Sequence, residues 1–403
     1  MKISNKEITT LVFLLFCNIA LMAQVKKHKS LISPNNSQQT PITKHKRDTS
    51  YKRNLLKDVK SKKIVMGISC SPNATVFLQN IMHKVNILTT NNNKVTLVTT
   101  VYYQGESTLT DGQWFSKLKL GLTGNENNIE VTSGDFSKRS TQGNMRIKAA
   151  PMLDTIFNGV TVFDSLGNAM GRRSSSDRNI ILYVPAGVKM DIDSKYADVA
   201  FDNNMGKVKA SINNGGLTLM NADQLLLTSV YGYIYAGNVR HAEIDITNGK
   251  LRAKNIDTLY ITSKNSSVAL DKIALLNIRN SQADQFEIEE AQSITGHKAY
   301  GDLRLTILNG SVDLSGVNSD VKIKNINPSV RTIKIKTQYA DLGLPVRNLK
   351  NYTVAFEGIG GNVHTPFEKT SVTDVSFKTS VGNSNEKPTV FELSCQHCSI
   401  DFK

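Results

Sequence analysis

The feature that most constrains this chain is a recurrence of about 17 to 21 residues that begins near Lys189. The apolar residue after each small-residue turn gives the series Val199, Leu217, Ile234, Leu251, Val268, Phe286, Leu303, Val321, Leu342, Val363 and Ile400. The steps are 17 or 18 as far as Val321, then 21, 21 and 37. The last step is read as two turns with one anchor obscured. Val76 and Val95 are read as earlier members of the same template.

Further columns keep the register. Two residues before the anchors stand Ala197, Gly215, Gly232, Gly249, Ser266, Asp284, Gly301, Ser319, Ala340, Gly361 and Cys398. Small residues are needed where backbone turns tightly or where a side chain would clash. Two residues after come Phe201, Leu219, Leu270, Ile288 and Leu305, the period-two alternation of a strand with one face buried. Seven residues before lie Ile192, Leu227, Ile244, Ile261, Leu314, Ile335, Phe356 and Leu393. Four residues after lie Asn203, Asn221, Asn238, Asn255 and Asn325, placed to form an amide ladder.

One geometry satisfies all the columns: an all-β, single-stranded parallel β-helix, or β-solenoid. Each coil is strand, corner, strand, corner, and each strand pairs in parallel with its counterpart in the next coil. At ~4.8 Å per coil, about a dozen coils extend roughly 55–60 Å. Right-handed winding is expected by analogy with parallel crossovers. An amphipathic helix would repeat every 3.6 residues rather than two. A leucine-rich repeat would carry LxxLxLxxN, which is missing.

Residues 101–180 break the register and are read as a cap or side lobe on the early coils, since open strand edges need covering. Trp114, Phe115, Leu118 and Leu122 suggest one or two helical turns after Asp111-Gly112. Ile129–Val131 and Met145–Ala149 read as strands, 167–178 as a polar loop, and Ile180–Val184 as a returning strand.

The formal net charge of +15 at first suggests nucleic acid. Residues 26–63, however, supply a net +10 of it, from 12 Lys/Arg against Asp48 and Asp58. The body is near balance and carries no zinc-finger spacing, RNP-like motif or basic helix, so no nucleic-acid partner is expected. Residues 1–23 read as a signal peptide. Lys2 and Lys6 precede the apolar run Leu11–Ala23, too short for a span of ~20 residues, and Ala23 offers a cleavage point. An uncleaved anchor is the other reading. Cys17 follows Phe16 where a lipoprotein site needs a small residue, so lipid anchoring is not expected. Residues 24–63 read as a disordered basic tether. It is a solvated linker first, and an arm against an anionic membrane surface or polysaccharide second. Residues 64–403 are the β-solenoid domain.

Residues 179–204 (NIILYVPAGVKMDIDSKYADVAFDNN), the SxYGxI and NGxL corners after them, and the early stretch ATVFLQNIMHKVNILTTNNNKVTLVTTVYYQGES resemble the bacterial adhesin-domain family. This is the group of head-GIN or auto-transporter-adhesin-like surface proteins. The resemblance covers about 65–403 and lapses over 364–392. It implies an exported β-solenoid and brings no catalytic residues.

Chemical constellations are few. Cys395 and Cys398 sit at columns that elsewhere hold small residues, so both are read first as structural filling, then as an oxidised pair, then as half a metal site that lacks its other ligands. Cys70 leaves the mature count odd. Asp191 and Asp193 flank inward Ile192 and read as a solvated face before a calcium or glycosidase pair. His28, His45, His83, His241, His297, His364 and His397 are scattered, with no Ser–His–Asp order. Tyr196, Tyr231, Tyr300 and Tyr339 stand just before four corners, read as corner packing first and an exposed sugar-binding stripe second. Gly358–Gly361 lacks the following helix that a phosphate cradle requires. No catalytic, cofactor or metal residue is assigned and no cofactor is expected. The expected function is a non-catalytic surface or periplasmic binding or structural module whose ligand is an envelope glycan or protein. The alternatives are a carbohydrate-active β-helix enzyme and an envelope signalling partner. Oligomeric state is left open.

Overall fold

The computed structural model describes residues 59–133, 162–170, 180–370, 372–373, 375–383 and 387–403. The expected signal peptide, the tether as far as residue 58 and the expected strand Met145–Ala149 lie outside the described residues. Every named strand among the described residues belongs to one 23-stranded sheet, accompanied by one short α-helix.

The chain enters through β1 (Val59–Ser69), so residues 59–63, expected in the tether, are strand. Their lysines hide the alternation. Lys60 and Lys62 stand on the same face as buried Ile64 and pair there with Glu106 and Asp111. After β2 (Thr75–Ile81) and β3 (Val85–Thr90), β4 (Lys94–Gln104) runs antiparallel to β1. The helix α1 (Asp111–Leu118) is started by Thr110 and Gln113, whose side chains each bond the other's backbone N–H, and buries Trp114, Phe115 and Leu118. Leu122, expected in this helix, belongs to β5 (Leu120–Gly124), which pairs antiparallel with β6 (Asn128–Ser133). Part of the expected 167–178 loop is strand: β7 (Val162–Phe163) pairs with β8 (Ala169–Met170). Next come β9 (Ile180–Pro185) and β10 (Lys189–Lys195).

The middle consists of β11 (Val199–Asn213), β12 (Gly216–Val230), β13 (Tyr233–Thr247), β14 (Lys250–Lys264), β15 (Ser267–Gln282) and β16 (Gln285–Ile326). Each pairs in parallel with the next, and the anchors meet in one row: Val199, Leu217, Ile234, Leu251, Val268, Phe286. Successive steps along this row differ by one because some repeats bulge. The register slips between Phe201 and Asn204 and again past Ile261, where Arg279 is the extra residue opposite. The bulge also moves the amide ladder: it starts at Asn204, not Asn203, and runs through Asn221, Asn238 and Asn255 with Nδ2–Oδ1 distances of 2.5 to 2.6 Å. Asn203 instead accepts from the N–H of Thr89, and Asn325 accepts from Asn348.

The last strands are β17 (Thr332–Gln338), β18 (Asp341–Leu344), β19 (Tyr352–Ile359), β20 (Asn362–His364), β21 (Ser376–Val381), β22 (Thr389–Gln396) and β23 (Ser399–Phe402). Here chain order departs from pairing order. Ile400 pairs with both Leu342 and Val363, so β23 lies between β18 and β20. In the same way β22 lies between β17 and β19. The long step from Val363 to Ile400 therefore hides no missing turn. The chain passes through 365–388, where β21 covers β19 antiparallel, and returns to fill a slot it had skipped. The opposite end uses the same device. β2 lies between β6 and β10, and β3 between β9 and β11. Val85, not Val76 or Val95, is thus the partner of Val199. Val76 pairs with Met190, and Val95 lies in β4, opposite Ile68. One continuous apolar core links both ends through the middle.

Candidate ligand-binding corner

Each repeat turns sharply just before its anchor. The residue three before the anchor is left-handed in every one: Tyr196, Asn214, Tyr231, Asn248, Asn265, Ala283, Tyr300, Asn318, Tyr339, Gly360 and His397 have φ between 49° and 67°. The small column follows it. Gly301, at φ 84°, is the one member that is itself left-handed; at Gly215, Gly249 and Gly361 it is the neighbouring repeat's backbone that comes close. A Cβ on Gly215 would lie 2.2 Å from the Ala197 carbonyl oxygen, and one on Gly249 2.8 Å from that of Gly232. At these glycines the clash governs and the turn belongs to the preceding residue.

Asn and Gly are the residues that accept this backbone at little cost, whereas a bulky side chain there costs on the order of 1 kcal/mol. Four tyrosines accept that cost, yet they are 64%, 61%, 49% and 56% exposed at Tyr196, Tyr231, Tyr300 and Tyr339. Corner packing, the first expectation, describes Tyr339, whose ring stacks on the corner residue His397 with centroids 5.2 Å apart and planes within 8°. The other three rings are open to solvent over about half or more of their surface.

A fifth ring, Tyr233, is not singled out by the sequence. It lies against Gly216, where a Cβ would be 2.3 Å from its Cε2 and Cζ. Its hydroxyl donates to Asp198, and burial together with that carboxylate pushes the phenol up to about 12. The same carboxylate accepts from the Gly216 N–H at 2.9 Å. The tyrosine thus lies back across two repeats, one face on backbone and the other open. From it a trough of about 790 Å³ runs along the corner past Asn248, Lys250 and Asn265 to Ala283 and Gln285. Asp198, Gly216 and Tyr233 follow one another at single repeat steps, so the repeat register could have brought them together from sequence.

The other candidates are placed as follows. Cys395 and Cys398 are both buried in the corner columns and form a disulfide across His397. The first expectation, small-residue filling, describes their positions, and the second describes their chemistry. Cys70 is free and buried, and burial raises its thiol. Asp191 accepts from Lys209 at 3.0 Å on the outward face of β10. His83 contacts Ser133, His297 contacts Ser315 and His241 packs on Tyr260, each at a separate place. Gly358 and Gly361 make room for the carbonyls of Cys395 and Cys398. Among the described residues no group of three or more His, Cys, Asp or Glu is arranged to hold a metal.

One buried polar cluster interrupts the core. The Asp284 carboxylate accepts from the hydroxyls of Ser263 and Ser281 and the N–H groups of Ser266 and Gln282 at 2.6 to 2.9 Å. Beside it Lys298, 2% exposed, donates to the carbonyls of Asp284 and Tyr300. Burial pulls its ammonium down to about 8, against the opposing pull of Asp284, Asp302 and Asp320.

No family model and no curated protein matches the chain. Among solved structures, it is similar to a protein from Parabacteroides distasonis provisionally described as lipid binding, at 10% identity and a TM-score of 0.34, over 71% of this chain and 96% of that one. It is also similar to a protein from Parabacteroides merdae provisionally described as an adhesin, at 10% identity and a TM-score of 0.31, over 69% and 96%. A third, from Bacteroides fragilis and described in the same way, gives 9% and 0.26 over 85% and 97%.

Proposed function

We propose that the chain is an exported, non-catalytic β-solenoid, wound right-handed in coils of about 17 to 21 residues, that serves the cell envelope as a binding and structural module. Parallel pairing of the anchor row supports the winding, and the antiparallel strands at both ends support a finished, capped stack. The charged start and short apolar run of residues 1–23 support export, and the basic segment after it suits an anionic envelope surface. Its contact surface is the tyrosine corner, which takes up an envelope glycan or protein.

The observation that carries the reading is the placement of four bulky, exposed rings on left-handed backbone that Asn or Gly would occupy without strain. Each carries backbone strain, offset at Tyr339 by stacking on His397, while recognition gains, because a rigid amphipathic ring offers contact area at low entropic cost. The test is binding of the chain to arrayed envelope glycans and to envelope protein fractions. Binding is expected, with loss when Tyr196, Tyr231, Tyr300 and Tyr339 are all replaced by Asn. Failure to bind any envelope component, glycan or protein, would sink the reading.

A further inference from the structure

We propose that the trough beginning at Tyr233 is a binding site for a linear acidic polysaccharide running along the stack, with one sugar stacked on the open face of the Tyr233 ring. This rests on the binding role proposed above and names the ligand class and the residues.

The ring is held before any ligand arrives. Gly216 leaves room beneath it, and Asp198 fixes its hydroxyl, while 51% of the residue stays exposed. A platform fixed in this way loses little entropy on binding. Beyond it the trough's floor is Gly232, Gly249 and Ser266, and its walls are Asn248, Asn265, Ser267 and Gln285. Amides and hydroxyls both donate and accept, which suits sugar hydroxyls. Among the described residues Lys250 is the one charged side chain lining the trough, so a carboxylate-bearing sugar is favoured over a neutral one. From Tyr231 to Ala283 there are three repeat steps, about 14 Å at ~4.8 Å each, the length of a short oligosaccharide.

An extended peptide does not suit the same trough. The wall's N–H groups are already used between repeats: Lys250, Ser267 and Gln285 donate to the carbonyls of Gly232, Gly249 and Ser266 at 2.9 to 3.1 Å. Asn248 and Asn265 donate to Lys264 and Gln282, each at 2.9 Å. No strand edge is left there for a peptide to extend.

The experiment is calorimetric titration of the full chain with oligogalacturonates from dimer to hexamer, beside cello-oligosaccharides of the same lengths. The acidic series is expected to bind more tightly with length and then level off once the trough is filled. Tyr233→Ala is expected to weaken binding at least tenfold and Tyr233→Phe, which keeps the ring but not its tether, a few-fold. Lys250→Gln should remove the preference for the acidic series. Leu226→Ala, on another face of the stack, should change nothing. Gly216→Ala lifts the ring and should match Tyr233→Ala; if it fails to fold, Tyr233→Phe still reports on the tether. Oligosaccharide binding that ignores Tyr233 and Lys250 would overturn the site and leave the binding role standing. Equal binding of both series would overturn the acidic preference. Binding of envelope protein but of no saccharide would overturn the ligand class, and only the absence of both would remove the underlying role.

Discussion

The middle of the molecule and its two ends are built from the same strands by different rules. From Val199 to Phe286 each repeat lies on the one just made, so chain order and pairing order coincide. At the ends they do not. β22 and β23 fill a slot between strands made earlier, and β2 and β3 are enclosed by strands made later. Antiparallel strands then cover the outermost parallel ones: β4 on β9, β5 on β6 and β21 on β19. A repeat can grow by local pairing, but it has no local way to stop, because each added strand exposes a new edge. Long-range closure solves that at the cost of sequence order.

The largest test of this contrast removes the strands that fill the slot. Deleting residues 389–403 should lower amide protection in β17–β21 to at most that of β19 misdocked on β17, while β11–β15 keep theirs, as read by hydrogen exchange. Protection of β17–β21 at the level of the full chain would mean that the ends do not depend on closure. Next in size is a titration inside the middle. Lys298 has a folded value near 8 against an ordinary 10.5, so the unfolded chain binds more protons between them and stability rises with pH across that window. The burial penalty is fully present below pH 8 and gone above 10.5, a change of roughly 3 kcal/mol. Lys298→Met should flatten that rise in urea unfolding; an unchanged slope would show that the ammonium is solvated.

Gly249→Val should cost about 1–3 kcal/mol and raise exchange in β13 and β14 first. A neutral result would show that adjoining repeats yield to the added methyl groups without loss. Smallest is Asn238→Ala, which removes two rungs of an exposed amide ladder and should cost about 1 kcal/mol or less. A loss as large as that of Gly249→Val would make the ladder, not the aliphatic rows, the organiser of the middle.

What can be read in the sequence follows the same division. The anchors from Val199 onward are legible because a fixed step needs no knowledge of distant partners. Val95 is misassigned because period-two alternation looks the same in a parallel and an antiparallel strand, and Val76 because the two strands of one repeat alternate alike. The long interval before Ile400 gives no sign that this residue lies between Leu342 and Val363, since pairing order leaves no mark on spacing. At the candidate site the tyrosines are visible and their backbone is not. Asn214, Asn248, Asn265, Asn318 and Gly360, all one residue before the small column, hold that signal, and the interleaved Tyr, Ala and His obscure it. Tyr233 escapes notice because its column is otherwise mixed, and only its two partners, at Asp198 and Gly216, give it meaning.

The strands that close the far end carry a kinetic consequence. β19 is synthesised before β22 and runs parallel to both β22 and β17, so until β22 arrives it can offer β17 a parallel ladder of its own. A chain that docks β19 directly on β17 forms a compact off-pathway state whose escape requires that premature ladder to be broken. Refolding should therefore split into a fast population and a slow one, with the slow fraction growing as the loop between the two strands is lengthened.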